Sequence, residues 1–207
     1  NIELIDIDYC PQQGNTLLSA LEKWERQDIC ALVIAQPNFF GSLEAVDKLT
    51  NWAHAQQALV IAVTNPISLG LLKEPGAWGE KAADIVCGEG QALGIPLAGG
   101  GPYFGFMCCK KEWVRQMPGR IVGRTVDKTG KPGFTLTLQA REQHIRRAKA
   151  TSNICTAQAL LANMSAMYAV YHGGEGIKNI AKRISILAQS LSNELSQLGF
   201  VNENEFY

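Results

Sequence analysis

Two apolar runs, Ile29 to Gln36 and Ala58 to Val63, set the strongest limit on how this chain can fold. Neither alternates with polar residues, so neither suits a sheet with one wet face. Runs of this kind belong to strands covered on both faces, the usual condition of a parallel sheet. Between them lies a helical pattern to about Gln57, with Leu43, Val46, Leu49 and Ala53 on one stripe. Ser42 is its expected N-cap and Glu44 falls in its first turn. A short third strand is expected from Asp84 to Cys87. Buried strands separated by single helices imply a right-handed, mostly parallel, doubly wound α/β sheet.

The flanks extend the pattern. Residues 2–8 read as a strand, and residues 15–26 as a helix with Leu17, Leu18 and Leu21 inward. Gly88 to Gly105 holds seven glycines and two prolines in 18 residues, after which Tyr103 to Cys109 reads as a strand. Lys128-Thr129-Gly130-Lys131 predicts the turn of a hairpin. The last third is helical. Ala157, Leu160, Leu161, Met164, Tyr168 and Tyr171 share one spacing, and Gly173-Gly174 ends that helix. A second helix runs from Ile177 to Leu195 and stops near Gly199. Met164 and Met167 are expected in the core. The opening at Asn1 and the strand-like close at Gly199 to Asn202 predict a piece of a longer parent.

Composition narrows the function classes. Hydrophobic residues are 46% and charged residues 18%, which supports a sizeable core and argues against disorder. No run of about 18 apolar residues predicts a membrane-spanning helix. The six cysteines include no CxxC pair and no histidine at ligand spacing, so no metal site is expected. Cys30, Cys87, Cys108 and Cys109 sit in apolar runs and read as buried thiols, which points to a reducing, cytoplasmic setting. The formal net charge is zero. Between Lys110 and Lys149, however, eleven basic residues face three acidic ones, a net of +8 that leaves −8 on the rest. The segment reads either as a solvated face or as a docking surface for an acidic partner or phosphate-bearing ligand. Few aromatics accompany it, so nucleic acid is disfavoured.

Several catalytic patterns fail on inspection. Gly88, Gly90 and Gly94 miss the dinucleotide fingerprint by one position, and no Walker-type lysine follows a glycine loop. His54, His144 and His172 are far apart, and the helical His54 and His172 read as structural. Cys155 with His144 is a conceivable nucleophile pair, but Cys155 between Ile154 and Thr156 reads as a buried thiol.

Two long strings carry more information. One is Met117-Pro118-Gly119-Arg120-Ile121-Val122-Gly123. The other, from Arg141 to Thr156, reads REQHIRRAKATSNICT, and Gly99-Gly100-Gly101-Pro102 stands upstream. From about residue 30 to 199 the chain resembles the P-protein of the glycine cleavage system, glycine dehydrogenase (decarboxylating). More narrowly, it is similar to subunit 1 of the split, two-chain bacterial form. The resemblance implies the large domain of the type I pyridoxal-phosphate transferase fold at 1–175, and a linking helix with the start of a smaller C-terminal domain at 176–207. It also implies pyridoxal-phosphate-dependent decarboxylation of glycine, with the aminomethyl group passing to the lipoyl arm of the H-protein.

The resemblance also exposes two absences. The family's Schiff-base lysine aligns with Gln91, and a carboxamide cannot form an imine. The acid that holds the pyridine nitrogen is expected after Val63, where Thr64-Asn65-Pro66 supplies no carboxylate. The implied role is therefore the paralogous subunit of an αβ pair or its dimer, a heterotetramer. Its cofactor would be bound by a lysine-bearing subunit 2, and none covalently by this chain. The expected interface or active-site wall is Arg141, His144, Arg146, Arg147, Lys149, Ser152 and Asn153, and the glycine-rich loop Gly99, Gly100 and Gly101 is expected beside the pseudo-site around Gln91. A scaffold subunit that only docks partners, and an unrelated enzyme of the same fold, are the alternatives; the missing lysine counts against the second.

Overall fold

The computed structural model describes residues 2–138, 142–150 and 158–201. They form two units: residues 1–108 with 160–207, and residues 109–159.

The first unit is built on a four-stranded sheet of order β1-β2-β3-β4, with β1 at Ala31–Gln36, β2 at Leu59–Thr64, β3 at Ile85–Glu89 and β4 at Gly105–Cys109. β1, β2 and β3 are parallel, with Ala31 opposite Leu59 and Ile61 opposite Ile85. Helix α1, Val46–Ala55, joins β1 to β2. Val46, Leu49 and Ala53 bury its inner stripe with Val60, Ala62, Ile34, Leu21 and Trp78. Trp78 is wholly buried and donates its indole N–H to the Lys73 carbonyl at 3.0 Å.

Several expectations are corrected. Residues 2–8 form no strand. Tyr9 makes one antiparallel bridge to Thr16, and Leu4 stays 92% exposed, because no described strand offers this segment a ladder. The helix expected over 15–26 is a shorter 3-10 helix at Leu18–Trp24, in which Leu21 alone is buried while Leu17 and Leu18 remain accessible. Ser42 does not cap α1. Its hydroxyl donates to the Gln13 carbonyl at 2.7 Å, and α1 starts four residues later. Glu44 is drawn away by Thr16 N–H and the Asn38 amide, at 2.9 and 2.8 Å. β1 is the edge of the described sheet, so Val33 is 59% exposed rather than covered on both sides. No α-helix joins β2 to β3; that connection holds two 3-10 turns, Ser68–Gly70 and Pro75–Ala77. The thiols are not core: Cys30 and Cys108 are exposed, and Cys87 and Cys109 partly so.

In the second unit lies the expected hairpin. Strand β5, Ile121–Val126, pairs antiparallel with β6, Pro132–Thr137. Asp127 closes the turn, accepting from the backbone and hydroxyl of Thr129, both at 2.7 Å. A single helical turn, α2, follows at Gln143–Arg146.

Helix α3, Ala159–Gln197, returns to the first unit. In geometry it is two helices meeting at Gly173, whose φ of 61° and ψ of 178° break the helical path, as the glycine pair predicts. Leu161, Ser165 and Ala181 are its buried residues. Met164 and Met167 are not core; Met167 is 67% exposed, and the aliphatic residues from Ile184 to Leu198 are largely exposed too. Residues 199–201 form no strand. No described helix is long and apolar enough to cross a membrane.

Candidate functional site

Parallel strands in open α/β sheets carry ligand sites outside their carboxyl ends, where loops diverge and backbone groups are left to recognise something. Here β2 ends at Thr64 and β3 at Glu89, so Asn65 and Gln91 leave the sheet side by side. Both line one cavity of about 380 Å³, with Glu89, Ala92, Gly94, Ile95, Leu97 and Tyr168. Two positions that resemblance alone singles out, 26 residues apart in sequence, are thus brought together by the parallel pairing of β2 and β3.

Local hydrogen bonds hold these side chains. Asn65 Oδ1 accepts from Ile67 N–H at 2.9 Å, and its carbonyl accepts from the Ser68 hydroxyl at 2.8 Å. The Gln91 backbone N–H donates to Glu89 Oε1 at 3.0 Å, and its side-chain amide donates to the Pro96 carbonyl at 3.3 Å. The glycines permit close packing. A Cβ on Gly88 would run into the Thr64 carbonyl, and one on Gly94, at φ +88°, would lie 2.6 Å from the Tyr168 ring. A second, apolar cavity of about 500 Å³ adjoins through the shared Gly94 and Tyr168; Asn163, Met164, Met167 and Tyr171 complete its lining.

The remaining candidates fall elsewhere. A methyl group added at Gly99 or Gly100 would meet nothing within 4 Å, so the space beside that loop is open. His144, Arg146, Arg147 and Lys149 are exposed and lie in the second unit. Beside them Glu142 is buried, with its Oε2 3.6 Å from Arg120 Nε. Arg141, Ser152, Asn153 and Cys155 fall outside the described residues, as does the expected helix start at 151–156.

Sequence reasoning missed Glu89 and Tyr168. Glu89 carried a usable signal, since it closely follows an apolar run and so sits at a strand's carboxyl end. Tyr168 carried none, because its approach to Gly94 is a tertiary contact. It also missed the pairing of His54 with Asp84 at the opposite, amino end of β3. Asp84 Oδ2 lies 2.9 Å from His54 Nε2 and accepts the Val60 N–H at 2.8 Å. His54 is thereby structural, as expected.

Pyridoxal phosphate needs an amine for imine formation and cations or converging N–H groups for its phosphate. Among the described residues lining the 380 Å³ cavity there is no lysine, arginine or histidine. That described lining does not fit the cofactor. Among the described residues no cluster of histidine, cysteine and acidic side chains fits a metal either.

A solved structure titled as glycine decarboxylase (P-protein) of the glycine cleavage system, in inhibitor-bound form, superposes with a TM-score of 0.76 at 51% identity, over 80% of this chain and 37% of that one. The fold is accordingly the type I fold of pyridoxal-phosphate enzymes. Proteins named probable glycine dehydrogenase (decarboxylating) subunit 1 are similar at 59% identity in Thioalkalivibrio sulfidiphilus and 58% in Alcanivorax borkumensis, each over 96% of this chain. The one from Coxiella burnetii is 58% identical over 95%. The chain spans 44% of the length of these relatives. All 207 residues match the family described as glycine cleavage system P-protein, and with the identity levels and the shared fold in agreement, the chain belongs to that family.

Proposed function

We propose that this chain is part of subunit 1 of a two-subunit glycine dehydrogenase (decarboxylating), located in the cytoplasm. In the assembled enzyme glycine loses CO2 and its aminomethyl group passes to the lipoyl arm of the H-protein. The observation that carries the reading is the cavity shared by Asn65 and Gln91, which sits where a type I enzyme keeps its chemistry yet has no amine among its described lining residues. On this reading subunit 2 holds pyridoxal phosphate through its own lysine, and the pair assembles as αβ or as its dimer. The exposed Arg146 and Arg147, with Arg141, His144, Lys149, Ser152 and Asn153, contribute a basic wall at the interface. Beside Gly99 and Gly100 the space is open, which leaves room for a close approach to that loop. Residues 1–175 belong to the large domain, and 176–207 lead into the smaller one.

The deciding experiment mixes the full-length chain with subunit 2. Stable co-elution, glycine-dependent CO2 release only from the mixture, and a borohydride-reduced cofactor adduct on subunit 2 alone are expected. A stoichiometric adduct on a lysine of this chain, or separate elution with no CO2 release, defeats the reading. Replacing Arg146 and Arg147 with glutamine is expected to slow turnover about tenfold, or about 1.4 kcal/mol in the barrier. A pure scaffold would lose assembly and keep the turnover of whatever complex remains.

A further inference from the structure

The cleft formed by the two adjoining cavities has a composition that neither the family nor the proposed reaction assigns to it. Its polar end presents Asn65, Gln91 and Glu89. Among the described lining residues Glu89 is the one side chain charged at neutral pH, and the Gln91 N–H fixes one carboxylate oxygen at 3.0 Å. Gln91 directs its side-chain amide N–H to Pro96, which leaves its carbonyl oxygen as an acceptor. The His172 ring stacks on Tyr168 at 4.3 Å between centroids but is not among the described residues lining either cavity. Beyond Tyr168 the lining turns to thioethers and a second phenol, Met164, Met167 and Tyr171. Thioether sulfur and aromatic rings both favour flat, polarizable apolar groups, and phenol faces also favour cations.

We infer that this cleft is a binding site for a small protonated amine with a flat apolar body, the ammonium on Glu89 and Gln91 Oε1 and the body along Tyr168, Met164 and Met167. The charge pattern disfavours anions, since a phosphate or carboxylate would meet Glu89 with no cation among the described lining residues to offset it. The volumes, about 380 and 500 Å³, lie in the range of small-molecule sites. The inference stands on the lining chemistry and does not require that the chain take part in glycine decarboxylation.

The test uses the full-length chain without subunit 2 and three probes of one body: 2-phenylethylamine, its N-acetyl derivative and 3-phenylpropanoate. Calorimetry is expected to rank the amine about tenfold above the other two, the scale of one charge-assisted hydrogen bond at a partly open site. E89Q should bring the amine level with the acetyl derivative while leaving the latter's affinity unchanged, which also shows that the variant is folded. M167A should weaken all three together. Equal affinities in the unsubstituted chain, a preference that survives E89Q, or no saturable binding of any probe would overturn the inference. None of these measurements depends on CO2 release, so a failure here is separable from a failure of the enzyme reading.

Discussion

The two ends of strand β3 carry one carboxylate each, and they are treated in opposite ways. At the amino end Asp84 is 5% exposed, and its Oδ2 meets both the His54 ring and the Val60 backbone N–H. It ties α1 to the sheet. At the carboxyl end Glu89 is exposed beside a cleft, and its one described partner is the N–H two residues on. A buried carboxylate must be fully matched, because removing its partners leaves charge in a poor solvent. A carboxylate at an open strand end can stay partly unmatched and so remains available to a ligand. The same residue chemistry thus serves cohesion at one end and recognition at the other.

This contrast can be tested from its strongest side downward. Trp78→Ala removes the largest fully buried side chain of the cohesive region. It is expected to cost about 4 kcal/mol in urea unfolding of the full-length chain. Next, Asp84→Ala and Glu89→Ala should be compared directly. The first strands the His54 ring nitrogen and the Val60 N–H and should cost about 3 kcal/mol. The second should stay within about 0.5 kcal/mol, as exposed positions do. Equal costs would dissolve the distinction between the two ends.

A smaller effect is expected at Gly94, where the cleft meets α3. Gly94→Ala combines a positive φ with a contact 2.6 Å from the Tyr168 ring. About 1–2 kcal/mol is expected, together with loss of affinity for the amine probe. A further small effect lies in Asp47, where the Lys73 ammonium at 2.7 Å, then the Gly79 N–H at 2.6 Å, hold the carboxyl below its usual 3.8. A depressed carboxylate stabilises the folded state above its unfolded value, and that contribution is lost as pH falls through the folded value. Asp47→Asn should therefore cost under about 1 kcal/mol at pH 7, the pair being largely solvated, and the difference should fade as pH drops below 3.8. The turn carboxylate Asp127, lowered chiefly by the Thr129 hydroxyl, shares that direction.

Much of the α/β core was legible in the sequence, and the reasons are local. The apolar runs at β1 and β2 can satisfy their backbone groups only in a ladder, although the exposed Val33 shows that an unbroken run does not by itself fix cover on two faces. Gly173 announces its break because a φ of 61° suits glycine, and the β5–β6 turn is written in Asp127 to Lys131. The failures have one cause. Residues 2–8, the Ser42 cap and the methionine stripe were read from spacing, which says which face is apolar and not what covers it. Ser42 and Glu44 bond instead with Gln13, Thr16 and Asn38, and two of those partners lie far outside any window around residue 42.

The site divides along the same line. By itself the sequence determined the chemistry present: Gln91 without an amine, Asn65 without an acid, and a net of +8 over 110–149. Side-chain identity suffices for that, since bond-forming capacity belongs to the residue. Only the tertiary structure decided which of these groups meet. Parallel pairing of β2 with β3 set Asn65, Glu89 and Gln91 around one cavity, and packing of Tyr168 on Gly94 gave that cavity its apolar end. Such contacts are long in sequence and short in space, and they follow from strand register and helix packing, which composition and spacing do not encode.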